Sequence, residues 1–404
     1  MTATRYDLII VGGGLVGGSL AAVLGAAGLR VALVEAVARA ERAQPSYDER
    51  VIALSWGSRR ILEAMGLWGD LARDAEPIRR IHVSDRGHCG LARLDSAEEG
   101  VEALGYVVPA RLIGQAVQAR LAPVAVLCPA RLLGFQLRED RVDVELSAGG
   151  ESRLLSASLL VAADGGDSAI RQRLGFQVLE RGYGHDAVIT TLTADRPQPG
   201  VAYERFTETG PLAMLPMTQG RYSLVWTARA TETAAILGLD DQGFLGRLQA
   251  RFGYRLGTLS RPGRRVAYPL KLLLTRDPVR QRLVLVGNAA HTLHPVAGQG
   301  LNLGLRDLAA LAQVVADRVR AADDPGSAAA LADYRRLRGE DQLLTGLATD
   351  LLAHLFINPW SPLRLGRNLG LLGLDLLPGA RHALAERFMG LTGHLPRLAR
   401  GLHL

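Results

Sequence analysis

The sequence predicts an α/β fold, in which a discontinuous domain built on a parallel sheet is interrupted by an inserted β-sheet domain and followed by C-terminal helices. Short apolar runs typical of buried parallel strands occur at residues 7–11 and again at 282–286. Between them, strands and turn residues alternate over residues 177–230. The chain has 404 residues, more than one hydrophobic core usually spans, so two domains are expected.

The other elements are predicted in chain order from local patterns of apolar, glycine and proline residues. They are a small-residue helix at 19–27 capped by Gly28, a strand at 29–34, a loop and then an amphipathic helix over 47–68, a hairpin at 80–94, a helix at 111–121, strands over 124–161, a helix at 168–174, a helix from about Leu301, and leucine-rich helices over 340–404 punctuated by Pro359, Pro362 and Pro378.

A glycine motif lies between the first strand and the first helix. Gly12 permits a tight turn, Gly14 lets the backbone approach a pyrophosphate, and Gly17 lets helix and strand pack closely. Leu15 and Val16 lie at the helix N-terminus, whose free N–H groups favour phosphate. Glu35 ends the second strand, where a carboxylate accepts ribose hydroxyls. The unit is therefore Rossmann-like, and its ligand is an adenosine without a 2′-phosphate, FAD or NAD.

A second turn that can approach a flat ligand follows the strand at 282–286. It begins at Gly287 and Asn288, continues through Pro295 to a glycine-rich loop, and enters a helix. A helix N-terminus can stabilise the negative charge that reduced flavin carries near nitrogen 1. One ligand that reaches both turns must be long, which favours FAD. The loop residues that we expect to contact it are Gly298, Gln299, Gly300, Leu301 and Asn302.

A third pattern, Asp164 followed by Gly165, ends a strand before the helix at 168–174. By itself it is more typical of a simple turn. Together, the three patterns predict the following domain boundaries. FAD-binding segments lie at 1–78, 101–176 and 271–340, a substrate-domain hairpin at 79–100, a β-rich substrate domain at 177–270 and a helical region at 341–404.

The charge balance is basic, with a formal net charge of +7 and a pI of about 9.8. Its arginines are dispersed and its aromatic residues are few, which disfavours nucleic acid as a partner. Cys89 and Cys128 lack metal or disulfide spacing, which fits a reducing cytoplasm. We expect no signal peptide and no spanning helix. The positive charge fits either a solvated surface or a membrane-facing patch.

With these three motifs in order, the chain resembles the FAD-dependent aromatic hydroxylases of the p-hydroxybenzoate hydroxylase group. Asp164 and Gly165 match the "DG" motif of that group, and residues 287–291 match its "GD" motif with Asn288 in place of aspartate. The substitution removes a charge but keeps a hydrogen-bonding side chain. Within the group the chain is similar to the ubiquinone-pathway branch, specifically the 2-octaprenyl-6-methoxyphenol hydroxylases (UbiH), over residues 6–359. The stretches that carry this are 48–68, 82–95, 103–117, 202–216 and 287–309, whereas His185 and Gln198 depart from it.

The resemblance implies a monooxygenase reaction. NAD(P)H would reduce FAD, dioxygen would form a carbon-4a hydroperoxide, and the distal oxygen would hydroxylate a polyprenyl phenol para to its oxygen. It also implies that Arg50 and Arg111 lie near the flavin, although both fit surface arginines. No catalytic base is evident. Pro295 and His291 are candidates near the flavin ring, a metal pair of His291 and His294 is disfavoured, and Asp307 would brace the loop.

A polyprenylated substrate lies in a bilayer, which predicts a cytoplasmic protein peripheral to the inner membrane. The leucine-rich segments 351–356, 363–377 and 384–391 could lie in the interface, with Arg364, Arg367 and Arg381 near lipid phosphates; equally, these helices could pack on the protein or on another quinone-biosynthesis protein. Three alternatives stay open: a sibling hydroxylase of other regiochemistry, a hydroxylase of a soluble phenol, and a non-catalytic FAD-bearing subunit of the quinone-synthesis assembly. The choice between NADH and NADPH, the prenyl length and the oligomeric state stay open too.

Overall fold

A computed structural model of the chain describes residues 4–38, 50–358 and 360–404. Tyr47, where a loop is predicted to start, and Pro359 lie outside these residues. The strands are β1 (Thr4–Val11), β2 (Val31–Val34), β3 (Val51–Ser55), β4 (Glu76–Ile78), β5 (Arg80–Asp85), β6 (Leu91–Asp95), β7 (Gly105–Pro109), β8 (Ala125–Leu127), β9 (Ala130–Leu137), β10 (Val142–Ala148), β11 (Glu151–Ala162), β12 (Val178–Ala194), β13 (Val201–Thr207), β14 (Gly210–Pro216), β15 (Arg221–Arg229), β16 (Leu259–Ser260), β17 (Val266–Thr275), β18 (Val279–Arg280), β19 (Leu283–Leu285) and β20 (His291–Thr292).

The helices connect these strands and form the C-terminal part of the chain. They are α1 (Leu15–Ala26), α2 (Trp56–Ala64), α3 (Trp68–Leu71), α4 (Ala110–Ala119), α5 (Ala169–Arg173), α6 (Ala230–Leu237), α7 (Asp241–Phe252), α8 (Gln299–Arg320), α9 (Ala328–Ile357), α10 (Ser361–Leu376) and α11 (Pro378–Met389).

The first sheet carries the predicted parallel core. Its central order is β19-β11-β1-β2-β8, with all of these neighbours parallel. Alternate side chains of β1 face opposite layers. Leu8 and Ile10 pack in the cluster that contains α1 and α8, while Ile9 and Val11 pack against the β9–β10 hairpin. Burial on both faces explains why these strands are continuous apolar runs rather than alternating ones.

The second sheet is the predicted inserted β-rich unit. The described strands follow the order β20-β17-β12-β15-β14-β13-β5-β6, so the hairpin β5–β6 joins it through a parallel pairing of β5 with β13. Helices α6 and α7 pack on one face through Ile236, Phe244 and Phe252. The arrangement confirms the predicted α/β fold with a second sheet and C-terminal helices.

Three details differ from the sequence-based boundaries. Residues 51–55 form a strand, β3, which pairs with β7 in a separate small sheet of the described chain, rather than a loop. The predicted end of the β-rich domain, residue 270, falls inside strand β17, which pairs with β12. We therefore propose that this domain ends near residue 275. The predicted start of the C-terminal helical region, residue 341, likewise falls inside helix α9.

Candidate functional site

A cavity of about 1080 Å³ lies between the first sheet and the inner face of the second. At one end it is lined by the turn after β1 and by the end of β2. At the other end it is lined by β5, β13, β14 and β15, and by the C-terminal helices α9, α10 and α11. The cavity therefore connects the predicted nucleotide turn with the predicted substrate sheet.

The turn between β1 and α1 leaves no room for side chains. Gly12 has φ +106°, and a Cβ there would lie 2.2 Å from the Ala163 carbonyl oxygen. A Cβ on Gly17 would lie 2.0 Å from the Gly12 carbonyl oxygen. Gly14 is the N-cap of α1 and supplies no capping side chain. The N–H groups of the first turn of α1 are therefore not capped by a side chain, and this turn lines the cavity. Uncapped N–H groups that face a cavity are what an anion site requires.

Glu35 lies at the end of β2 and lines the same end of the cavity. Its carboxylate accepts hydrogen bonds from the backbone N–H groups of Gly13, at 2.6 Å, and Val37, at 2.7 Å. Each carboxylate oxygen has a further lone pair. The two backbone bonds fix the carboxylate beside the turn, where it can still accept hydroxyl groups.

The loop before α8 forms the middle of the cavity. Gly298 adopts the left-handed conformation, with φ +62°, directly before the helix. The Asn302 side chain, 1% exposed, donates to the carbonyl oxygens of Ala53 (2.9 Å) and Gly298 (2.7 Å) and accepts from the Ser55 N–H (2.8 Å). Asn302 therefore braces the loop against β3 and has no amide N–H left to donate to a ligand.

Most of the predicted cofactor residues meet at this cavity, and Arg111 and Gly287 are the exceptions. Arg111 is exposed on α4, and Gly287 packs behind the lining, where a Cβ would lie 3.1 Å from a Val16 methyl group. The predicted residues that line the cavity are Gly12, Gly14, Leu15, Val16, Gly17, Glu35, Arg50, Asp164, Gly165, Asn288, Pro295, Gly298, Gln299, Gly300, Leu301 and Asn302.

The second sheet covers the other end of the cavity with an apolar face. Phe206 of β13 stacks on Phe356 of α9. Glu204 is an exception on this face, and sequence reasoning missed it. Burial raises the pKa of its carboxyl to about 7. The signal that could have identified Glu204 is the alternation of side chains along β13, which puts it on the same face as Ala202 and Phe206. The apolar residues of the face are Ile81, Val83, Ala92, Leu94, Ile189, Ala202, Phe206, Pro211, Ala213, Leu215 and Val225.

Known proteins show the same combination of elements. A family model described as an FAD binding domain matches residues 5–340. The chain is 39% identical to the ubiquinone hydroxylase UbiL of Rhodospirillum rubrum, over 98% of this chain and 93% of that protein. The chain belongs to this family of FAD-dependent monooxygenases. It is also 31% identical to 3-demethoxyubiquinol 3-hydroxylase of Escherichia coli K12, over 93% of this chain and 96% of that protein.

The fold is shared with a solved member of the aromatic hydroxylases. The p-nitrophenol 4-monooxygenase PnpA of Pseudomonas putida DLL-E4 superposes with a TM-score of 0.80, at 19% identity, over 97% of this chain and 100% of that one. The match to the FAD binding domain model over residues 5–340 makes FAD the cofactor of this family member, and NAD(P)H is the reductant typical of the family.

The described residues fit an FAD molecule. One observation is independent of the glycine motif: Oδ1 of Asp164 is buried in the cavity wall and has no hydrogen-bond partner among the described residues. A buried polar atom without a partner is costly unless a ligand satisfies it. Its position between the nucleotide turn and the loop before α8 suits a hydroxyl of the ligand chain.

His291, a candidate near the flavin ring, lies outside the cavity lining. Its Nε2 lies 2.5 Å from Oδ2 of Asp307, and both residues are buried. Asp307 also accepts from Arg338 (2.8 Å) and Gln342 (3.0 Å) of α9. Burial by itself would raise the pKa of Asp307, but the charges of His291 and Arg338 lower it below its ordinary value. The cluster ties the loop to α8 and α9, so His291 positions the loop from behind.

The remaining predicted side chains are also placed outside the lining. His294 is fully buried against Tyr183, and burial lowers its pKa to about 4. His185 bonds the Tyr183 carbonyl, and Gln198 accepts from Tyr203. Among residues 4–38, 50–358 and 360–404, no group of three or more His, Cys, Asp or Glu side chains could hold a metal ion.

Two of the arginines that could lie near lipid phosphates pair with acidic side chains of the same chain. Arg367 is 7% exposed and pairs with Asp85 at 2.9 Å. Arg381 pairs with Glu98 at 2.8 Å. The segment predicted at 384–391 is also turned inward, since Leu384, Ala385, Phe388 and Met389 line the cavity. For these two arginines and this segment the structure favours the other alternative, in which the helices pack on the β5–β6 hairpin and on the cavity.

Proposed function

We propose that this monooxygenase hydroxylates the ring of a polyprenyl phenol, similar to 2-octaprenyl-6-methoxyphenol, in ubiquinone biosynthesis. The observation that carries the proposal is the apolar continuation of the cavity beyond the cofactor turns. A phenol ring would lie between the loop at Pro295 and the second sheet, and a prenyl chain would extend along Leu352, Leu371 and Leu374 of α9 and α10. The names of the relatives UbiL and 3-demethoxyubiquinol 3-hydroxylase support the same substrate class.

The chain's own groups would hold the cofactor and exclude water. The N-terminus of α1 would bind the pyrophosphate, and Glu35 would bind the adenosine ribose. The N-terminus of α8 would lie against the flavin ring system, where its positive dipole end favours negative charge. Bound FAD would supply hydride acceptance from NAD(P)H and the activation of dioxygen. The stacked Phe206 and Phe356 would keep bulk water from the ring.

The position of the new hydroxyl separates the proposal from its sibling reactions. By the UbiH-like stretches, we propose attack para to the phenol oxygen. The similarity to 3-demethoxyubiquinol 3-hydroxylase makes attack at another ring position the alternative. Mass spectrometry of lipid quinones in cells lacking the gene, with and without complementation, decides this. The intermediate that accumulates identifies the missing hydroxyl, and a normal quinone profile would refute the pathway assignment.

We also propose that the outer faces of α9 and α10 rest on a membrane surface. Leu351 is 64% exposed, and Leu365 and Leu369 are 62% and 59% exposed. These leucines lie on the two helices whose other faces line the cavity at Leu352 and Leu371, so the surface adjoins the proposed prenyl path. None of the described helices is long and apolar enough to cross a bilayer.

Sedimentation with anionic vesicles tests this surface. The wild-type protein should bind, and L351E and L365E should bind much more weakly, because charged groups oppose insertion among acyl chains. L133E is the matched control, since Leu133 is 52% exposed on β9 of the first sheet. Because Arg367 and Arg381 are paired internally, salt should weaken binding only partly. Absence of wild-type binding at both low and high salt would refute the surface.

A further inference from the structure

Glu204 is a carboxylate on a mostly apolar sheet face inside the cavity, which also carries the hydroxyl of Thr227. It lies in β13, and it lines the cavity together with Ala202 and Phe206. Residues two apart in a strand share a face, so these three side chains point the same way. Opposite Glu204 on the neighbouring strands lie Ala213 of β14 and Val83 of β5.

Two apolar clusters connect the strand around Glu204 to the loop that would hold the flavin. On one side, Phe206 belongs to a buried apolar cluster with Val296, the residue after Pro295. On the other side, Ala202 belongs to a cluster that includes Ala53. A Cβ on Gly298 would lie 3.2 Å from the Ala53 Cβ. The same-face neighbours of Glu204 on both sides therefore belong to apolar clusters that reach the 295–298 loop.

No fixed charge neutralises Glu204. Among the described residues it has no ion-pair or hydrogen-bond partner, and burial is the cause that raises its pKa to about 7. Leu352 and Phe356 face the cavity from α9. The neighbouring Arg205 bonds the Arg251 carbonyl instead. The other charged residues that line the cavity lie outside the second sheet, and they are Glu35, Arg50, Arg131, Asp164 and Asp167.

We propose that Glu204 accepts the proton of the substrate's phenol hydroxyl as the ring is hydroxylated, an inference that rests on the proposed function. The phenol O–H bond breaks, its electron pair moves toward the ring, and its proton passes to the carboxylate. The ring then forms a bond to one oxygen atom of dioxygen as the O–O bond breaks, and the second oxygen atom takes up a proton and leaves as water. The two electrons that this requires come from NAD(P)H through the bound flavin. When the attacked carbon loses its hydrogen as a proton, Glu204 returns a proton to the substrate oxygen. The carboxylate is regenerated, and a quinol leaves.

The test separates the hydroxylation step from the reduction of the flavin. FAD-loaded wild type, E204Q and E208Q are reduced with NAD(P)H and then mixed with dioxygen and a short-chain 2-prenyl-6-methoxyphenol. Quinol and hydrogen peroxide are measured against pH. Glu208 is a matched control because it lies in the exposed turn after β13 and pairs with Arg86 and Arg251.

In wild type, quinol formation should rise with pH around a midpoint near 7. E204Q should be reduced at the normal rate, lose this midpoint, form quinol about 100-fold more slowly and release hydrogen peroxide instead. E208Q should behave as wild type. E204D should recover part of the rate and the midpoint, because it restores the carboxylate on a shorter stem.

A second measurement does not depend on turnover. A prenylated 4-nitrophenol bound in the cavity should become fully ionised at a lower pH in E204Q than in wild type, because the carboxylate disfavours a second negative charge beside it. Equal ionisation in the two proteins, or an unchanged pH profile of quinol formation in FAD-loaded E204Q, overturns the role of Glu204. Failure of the wild type to form quinol overturns the proposed function instead.

Discussion

The brace formed by Asn302 makes a quantitative prediction about FAD binding. In N302A the N–H of Ser55 and the carbonyl oxygens of Ala53 and Gly298 lose their amide partner. A buried polar group left unsatisfied costs about 1–3 kcal/mol. Three such groups, if left fully unsatisfied, would cost about 3–9 kcal/mol in total. If about 1.4 kcal/mol of this cost is lost from the free energy of FAD binding because the loop is less well held, the Kd for FAD rises tenfold.

N288A is the matched control for this variant. Asn288 lines the same cavity. Asn288 is exposed, whereas Asn302 is buried, with 1% exposure. N288A should weaken FAD binding and leave the unfolding of the FAD-free protein unchanged. N302A should change both. FAD fluorescence titration and urea unfolding of the FAD-free proteins measure the two quantities. If N302A alters neither quantity, the Asn302 hydrogen bonds contribute nothing to FAD binding or to stability, and the prediction is refuted.

Two further substitutions probe the core of the site. G17A should yield a colourless protein, because the new Cβ would lie 2.0 Å from the Gly12 carbonyl oxygen and would force the turn apart; retained flavin absorbance after purification would contradict this. D307A should destabilise the protein by about 3–5 kcal/mol by leaving buried Arg338 without this partner, whereas D333A at the surface should cost less than about 1 kcal/mol, as urea unfolding would show. Because the pKa of Asp307 is lowered in the fold, its stabilising effect should be present at neutral pH and be lost as the pH falls below the ordinary aspartate value toward the lowered one.

Local pattern was enough to predict the parallel core and the turns that line the cavity. The motif at Gly12 to Gly17 depends on residues within one βαβ unit, and its acid, Glu35, follows by a fixed distance along the chain. The loop from Pro295 to Asn302 likewise combines a strand, glycines and a helix start in one segment. Interactions that close within a few tens of residues leave a signature in the sequence. Those parts of the fold were therefore predicted correctly.

Long-range pairing was not visible in the same way. Strand β3 is only five residues long, and its partner β7 begins fifty residues later, so its sequence alone resembled a loop. The leucine-rich helices carry arginines that suggested lipid phosphates. Their acidic partners, Asp85 for Arg367 and Glu98 for Arg381, lie more than 280 residues earlier in the chain. A charge on an amphipathic helix reveals its partner only when the fold brings the two together.

Glu204 shows where a local rule was broken in an informative way. A strand that presents Ala202 and Phe206 to an apolar cavity should present a third apolar residue between them. A carboxylate there costs free energy of desolvation, and no described residue repays that cost with a hydrogen bond or an opposite charge. Sequences that violate local consistency tend to do so at functional sites. The unpaired charge lies beside the loop that would hold the flavin, so the substrate is the natural partner. Replacing Glu204 with leucine should therefore stabilise the FAD-bound fold while it removes quinol formation, and a destabilised E204L protein would show that the carboxylate serves the fold instead.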